Sequence, residues 1–192
     1  MPTKNSINTE IKAFLKRSLP REKYLHVLRV SKTAAGLARR HRLPEKKAKL
    51  AGLLHDAGKN MKAAEVAPLL RYISYSDEEK NIPALWHAKA GEEVARRVFK
   101  VKDPSVLKAI RNHVTGSPQM DGLSKAVFLA DKIEPGRSYK GVAELRAISR
   151  EDLDAAMVLA LANNFTYIAR KGKKLHPLSV KVLESFVKKC SS

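Results

Sequence analysis

Histidine and aspartate stand side by side in Leu53-Leu54-His55-Asp56-Ala57-Gly58-Lys59, where an apolar run ends in a glycine turn. Imidazole nitrogens and carboxylate oxygens are both metal ligands. Consecutive helical side chains point about 100° apart, but at a helix end the carboxylate can bend back, so both groups can reach one cation. A His-Asp dipeptide arises easily by chance, and its context must carry the weight. His26 lies in Tyr24-Leu25-His26-Val27-Leu28, among apolar neighbours on a helical pattern, so its ring is expected to point inward. Asp131 stands in Ala126-Val127-Phe128-Leu129-Ala130-Asp131-Lys132-Ile133, and a carboxylate buried in such a run is costly unless it meets a cation. His87 and His113 fall at expected helix boundaries, where a side chain can face a cleft. Taken singly, each has a plainer reading: a core histidine at 26, an exposed face for Asp131 beside Lys132, structural histidines at 87 and 113.

Groups so distant along the chain meet only if larger elements carry them to one place. Apolar residues recur at three and four rather than at two, which predicts an all-α fold of about eight to ten helices. Asn8 to Ser18 reads as a short amphipathic helix ended by Pro20, followed by Glu22 to Arg42. Pro44 suits the first position of a helix that runs to His55 and stops at Gly58. Residues 62–87 are irregular, broken by Pro68 and Pro83. Helices then follow over Ala88 to Phe99, from Asp103-Pro104 to His113, over Leu123 to Ile133, about Tyr139 to Ile148, Asp152 to Ala169 and about Ser179 to Lys189. With 192 residues, the expected organisation is a basic N-terminal helix over 1–19 and one domain over 20–192 that ends in a basic helix.

The order His26, His55-Asp56, His87, His113, Asp131 within an all-helical pattern resembles the HD-domain metal-dependent phosphohydrolases, whose fold is a helical bundle. The segments Tyr24-Leu25-His26-Val27-Leu28-Arg29-Val30, Ala51-Gly52-Leu53-Leu54-His55-Asp56, Ala109-Ile110-Arg111-Asn112-His113-Val114-Thr115-Gly116 and Phe128-Leu129-Ala130-Asp131-Lys132-Ile133-Glu134-Pro135-Gly136-Arg137 are similar to the YqeK-type branch. Those proteins are bacterial symmetrical diadenosine tetraphosphate hydrolases, and the likeness spans roughly residues 20 to 180. It implies iron held by His26, His55, Asp56 and Asp131, and cleavage of a dinucleoside polyphosphate into two ADP. Two imidazoles with two carboxylates suit iron, manganese, cobalt or zinc and are poor for calcium, so ligand type alone leaves the metal open. Such an ion lowers the pKa of a bound water towards 7 and makes hydroxide available for in-line attack on phosphorus. Phosphoryl transfer rests on positioning and charge, a task that Lys59, His87, His113 and Arg137 fit. The resemblance implies catalytic roles for Asp56, Lys59, His87 and His113. It also implies nucleotide contacts at Arg29, Asp56, Ala57, Gly58, Lys59, His87, His113, Arg137, Lys174 and His176. For His87 and His113 the alternatives are phosphate ligand, proton donor to the leaving group, or ligand of a second metal.

The formal net charge is +19, and its distribution is uneven. Residues 1–49 hold 14 Lys/Arg against 3 acids and residues 164–192 hold 7 against 1, whereas the middle of the chain is nearly balanced. A polyanionic ligand is favoured, and a nucleotide satisfies this as well as RNA does. No RNA-binding motif is present and aromatics make up 6%, too few for much base stacking, so nucleic acid is not the expected partner. The competing functions are an HD-type phosphohydrolase acting on a mono-, tri- or cyclic nucleotide, and a basic RNA-associated protein with a structural metal. One cysteine, Cys190, excludes a disulfide framework and fits the cytoplasm. The absence of a long apolar run argues against a membrane span, and a homodimer is compatible with the chain.

Overall fold

Prolines and capping side chains set the helix boundaries in the computed structural model of the chain, which describes residues 4–59, 61, 68, 69, 71–73, 83–172 and 175–191. The helices are α1 (Lys4–Ser18), α2 (Arg21–Arg40), α3 (Glu45–Leu54), α4 (Pro83–Glu93), α5 (Pro104–Asn112), α6 (Gly122–Ile133), α7 (Val142–Glu151), α8 (Leu153–Arg170) and α9 (Pro177–Cys190). A π-helical turn over Val94–Val98 continues α4. Among the described residues there is no strand, so the fold is all-α, as the periodicity predicts. No helix among them is long and apolar enough to cross a membrane.

Three helix starts differ from the sequence expectation by three residues or more, the first being α1, which begins at Lys4 and not at Asn8. The helix carrying His87 begins at Pro83, not at Ala88. Pro83 opens it because a first-turn proline loses no helical hydrogen bond and has its φ preset. His87 therefore sits on the second turn of α4, inside the helix. The helix expected from about Tyr139 starts at Val142, because Gly141 adopts φ 91°, a left-handed conformation that cannot belong to the helix.

Helix α6 is buried on nearly every side, with Leu123, Ser124, Ala126 to Asp131 and Ile133 all buried, and so forms the central rod of the bundle. It packs against α2, α5, α8 and α3, while α2 and α3 make the most extensive single pairing. Ser31 on α2 donates to the Lys49 carbonyl on α3 at 2.7 Å. The core runs through Val27 and Val30, Leu54, Ile110, Phe128 and Leu129, and extends to Met157, Leu161 and Phe186. Ile11 and Leu15 bring α1 into it, packed on α2 and α3.

One side chain aligns the two helices that end in histidines. Asp103 caps α5, accepting from Ser105 N at 3.0 Å and Val106 N at 3.4 Å, and it pairs with Lys47 of α3 at 2.7 Å. With their first turns tied, α3 and α5 run side by side. Their C-terminal ends deliver His55 and His113 to the same place, with ring centroids 4.9 Å apart.

Candidate metal centre and active site

His55 follows the last turn of α3, fully buried, and its Nδ1 donates to the Gly52 carbonyl at 2.8 Å. That bond fixes the tautomer. Nε2 is left with its lone pair pointing inward, buried and without a hydrogen-bond partner. A buried, unsatisfied nitrogen is costly in a folded protein. Around it stand Asp56 Oδ2 at 3.7 Å and Asp131 Oδ1 at 4.0 Å. His26, in the first half of α2, points its Nε2 to Asp131 Oδ1 at 3.0 Å, and its ring centroid lies 5.5 Å from that of His55. Ligand atoms of His26, His55 and Asp56 all fall within 4.8 Å of one another. The sequence-predicted quartet therefore converges from α2, the end of α3 and α6.

Asp56 looks both ways. Its Oδ1 lies 3.3 Å from His87 Nε2 and 3.6 Å from His113 Nε2, and these two nitrogens are 3.1 Å apart. His113 donates Nδ1–H to the Ile110 carbonyl at 2.7 Å, which turns an unprotonated Nε2 towards His87. Asp56, His87 and His113 form a second trio close enough to hold an ion. Lys59 completes the turn, with its Nζ 2.8 Å and 3.1 Å from the two oxygens of Asp56.

The positive groups at the other carboxylate are Lys132 Nζ, 2.6 Å from Asp131 Oδ2, and Arg137 Nη2, 2.7 Å from Oδ1. Arg137 also donates from Nε to the Asp131 carbonyl at 2.8 Å. The segment holding Arg137 is clamped by Arg146 of α7, which donates to the carbonyls of Ile133, Glu134 and Arg137 at 2.8–3.0 Å.

The site is electrically polarised. Burial pushes the His55 imidazolium down to a pKa of about 4, the nearby His113 adds to this, and Asp56 opposes it. Burial alone would raise Asp56, but His55, His113 and His87 outweigh it and hold the carboxyl well below its usual range. Asp131 is likewise held low against its burial, chiefly by Lys132 and His26. Burial lowers His87. Neutral imidazoles with ionised carboxylates are the protonation states that bind a metal. The donor set, with one orphaned lone pair aimed into it, fits a divalent first-row transition ion.

The remaining sequence-predicted residues are placed as follows. Ala57 and Gly58 are buried in the turn beneath α4. A Cβ at Gly58 would lie 2.5 Å from the His87 carbonyl oxygen and closer still to Gly91 N, so the turn touches the α4 backbone. Arg29 gives its Nε and Nη2 to Glu134. His176 caps α9, accepting at Nδ1 from Leu178 N at 3.2 Å, and its Nε2 is buried and unpaired. Lys174 lies outside the described residues. Glu134 has no role predicted from the sequence. It is 1% exposed and contacts His26, and the burial-cost argument that selects Asp131 applies equally to this acid, three residues on.

A family model described as HD domain matches residues 24–136. The symmetrical bis(5'-nucleosyl)-tetraphosphatase of Halalkalibacterium halodurans is 35% identical over 170 residues, covering 85% of this chain and 88% of that protein. The protein of the same name from Bacillus subtilis is 33% identical, covering 88% and 91%. Among solved structures, a Clostridium acetobutylicum protein described as a predicted HD superfamily hydrolase involved in NAD metabolism is similar, with a TM-score of 0.89 and 33% identity. That alignment covers 95% of this chain and 97% of the other.

Proposed function

The chain belongs to the HD-domain hydrolases, and from that membership we propose that it splits diadenosine tetraphosphate at its centre to give two ADP. The observation that carries this reading is the cluster of His26, His55 and Asp56 at the unpaired Nε2 of His55, with Asp131 Oδ1 3.0 Å from His26 Nε2 and 4.0 Å from His55 Nε2. We assign the metal to these four side chains and take iron as the first candidate, with manganese, cobalt or zinc as the alternatives the donors allow. A divalent ion held there supplies Lewis acidity to the attacking water and to the phosphoryl oxygens.

The chain's own residues account for the rest of the reaction. Water forms a new bond to one central phosphorus while the bond to the bridging oxygen breaks, and that oxygen leaves with an ADP. To His87 and His113, paired at 3.1 Å beside Asp56, we assign the proton that the leaving oxygen needs. Lys59 and Arg137 bring positive charge to the two ligand carboxylates and would face the nonbridging oxygens. Arg29, the turn at Ala57 and Gly58, Lys174 and His176 are assigned to the gripped ADP half. Gripping one half and cutting at the next phosphorus yields identical products without measuring the whole substrate. The substrate class is then a dinucleoside polyphosphate, and the assigned setting is the cytoplasm.

Purified protein loaded with manganese or ferrous iron tests this directly. Chromatography of the products from diadenosine tetraphosphate is expected to show ADP alone. Formation of ATP plus AMP would overturn central cleavage. Turnover confined to a mononucleotide or cyclic nucleotide in a substrate panel would move the enzyme to another HD specificity.

A further inference from the structure

The three histidines nearest the proposed ion are oriented by different means. His55 and His113 stand at helix C-termini, where the last carbonyls lack helical partners, and each gives its Nδ1–H to a carbonyl three residues back. His26 lies inside α2, where the surrounding carbonyls are engaged by the helix itself. Its orienting partner must come from elsewhere in the fold. The group that arrives is the carboxylate of Glu134, just beyond α6 and 108 residues away in sequence, with Oε1 3.0 Å from His26 Nδ1.

Glu134 is 1% exposed, and burying a carboxylate demands compensation. Besides His26, it accepts from Arg29 Nε at 2.5 Å, Arg29 Nη2 at 3.4 Å and Gly136 N at 2.6 Å. Gly136 leaves room for the guanidinium, since a Cβ there would sit 2.6 Å from Arg29 Nη2 and the arginine would have to shift. The Arg29 guanidinium, the Gly136 amide and His26 thus hold the carboxylate in one orientation, and the carboxylate holds the ring.

We propose that Glu134 is a positioning residue of the metal centre: it accepts the Nδ1–H of His26 and so presents Nε2, turned towards Asp131, to the ion. Carboxylate partners of ligating histidines fix the tautomer and raise the ligand's basicity, and their loss weakens metal affinity about 10–100-fold. The Glu134 oxygens are engaged by His26, Arg29 and Gly136, so the residue acts through His26. This inference rests on the assignment of His26 as a metal ligand and is independent of which nucleotide is cleaved.

The test uses the full chain and zinc alone, with affinity read by competition against a chromogenic chelator and no nucleotide present. Glu134→Gln is expected to weaken zinc binding about 10–100-fold. Glu151→Gln, a comparable loss of a carboxylate at the exposed end of α7, where it pairs with Arg40, is expected to leave zinc affinity within twofold. A folded Glu134→Gln protein that binds zinc as tightly as the parent overturns the proposal. Should that variant fail to fold, long-range nitrogen–proton NMR of the zinc-loaded parent decides. His26 is expected to retain its proton on Nδ1 and bind through Nε2, and binding through Nδ1 overturns the proposal. A parent that binds no zinc removes the metal reading and this one together. A parent that binds zinc but leaves diadenosine tetraphosphate intact removes only the substrate.

Discussion

The protonation of His55 can be followed without substrate. Its imidazole has a pKa of about 4 in the fold, against roughly 6.5 when unfolded, with burial the leading cause. A depressed histidine is neutral in the native state, so its contribution to stability is fully present above about pH 6.5. Between pH 6.5 and 4 the unfolded chain binds a proton that the folded chain refuses, and stability falls. Asp56 and Asp131, held low, remain ionised throughout that window and lose their contribution only at lower pH. Urea denaturation of chelator-treated protein at pH 7.5, 6, 5 and 4.5 is expected to show a loss of about 3 kcal/mol from His55 across the series, to which His87, also lowered by burial, adds in the same direction. A flat profile would mean that the ring is not held neutral and that Nε2 is not presented to the cluster.

Two helices and one turn decide whether the histidines meet, and each can be loosened separately. Asp103 caps α5 and pairs with Lys47, so Asp103→Ala removes both the cap and the tie to α3. The expected cost is about 1 kcal/mol from the cap, with little added by the exposed ion pair. The carboxyl pKa is lowered to about 2, first by Lys47 and then by Ser105, so the contribution is intact at neutral pH and fades only below about pH 4. Gly58→Ala acts differently, because its Cβ would meet backbone atoms of His87 and Gly91, which cannot swing aside as a side chain can. Overpacking of about 1–3 kcal/mol is expected, with kcat falling more than stability explains, since α4 must shift and takes His87 with it. Unchanged kcat in a folded Gly58→Ala protein would dissociate the position of α4 from catalysis. Elements of this kind were partly legible in the sequence. Asp103-Pro104 carries a local signal, side-chain acceptor then proline, and the structure caps α5 there. Pro83 follows Ile82, with no side-chain acceptor directly before it, and so reads as a breaker. For Glu134 the sequence carries the same burial-cost signal as for Asp131, but not the identity of its partner, since His26 is 108 residues distant and no local periodicity encodes that relation.

At the scale of the whole molecule, the proposed ion joins α2, the end of α3 and α6, segments separated by most of the chain. The periodicity of three and four predicts helices but says nothing of which ones cross. Their meeting was legible only through the order of six polar residues and its family resemblance. Ligands drawn from three elements exist as a set only in the folded state, so metal binding must stabilise the fold. At free metal about 100 times the dissociation constant, the gain is about 2.7 kcal/mol. For a chain of 192 residues, each kcal/mol moves the melting temperature by about 2–4 °C, so a rise of about 5–11 °C is expected when zinc is added to chelator-treated protein. Asp56→Ala removes the one ligand shared with the His87 and His113 side, and is expected to abolish most of that rise and lower turnover more than 100-fold, beyond the cost of disturbing an orienting partner. Calorimetry of parent and variant, with and without zinc, checks both. An equal rise in the two proteins would place the stabilising ion elsewhere, for instance on Glu and His side chains of the surface. The same comparison repeated at high salt separates the two cases, because ions bound loosely on the surface are screened and a buried cluster is not.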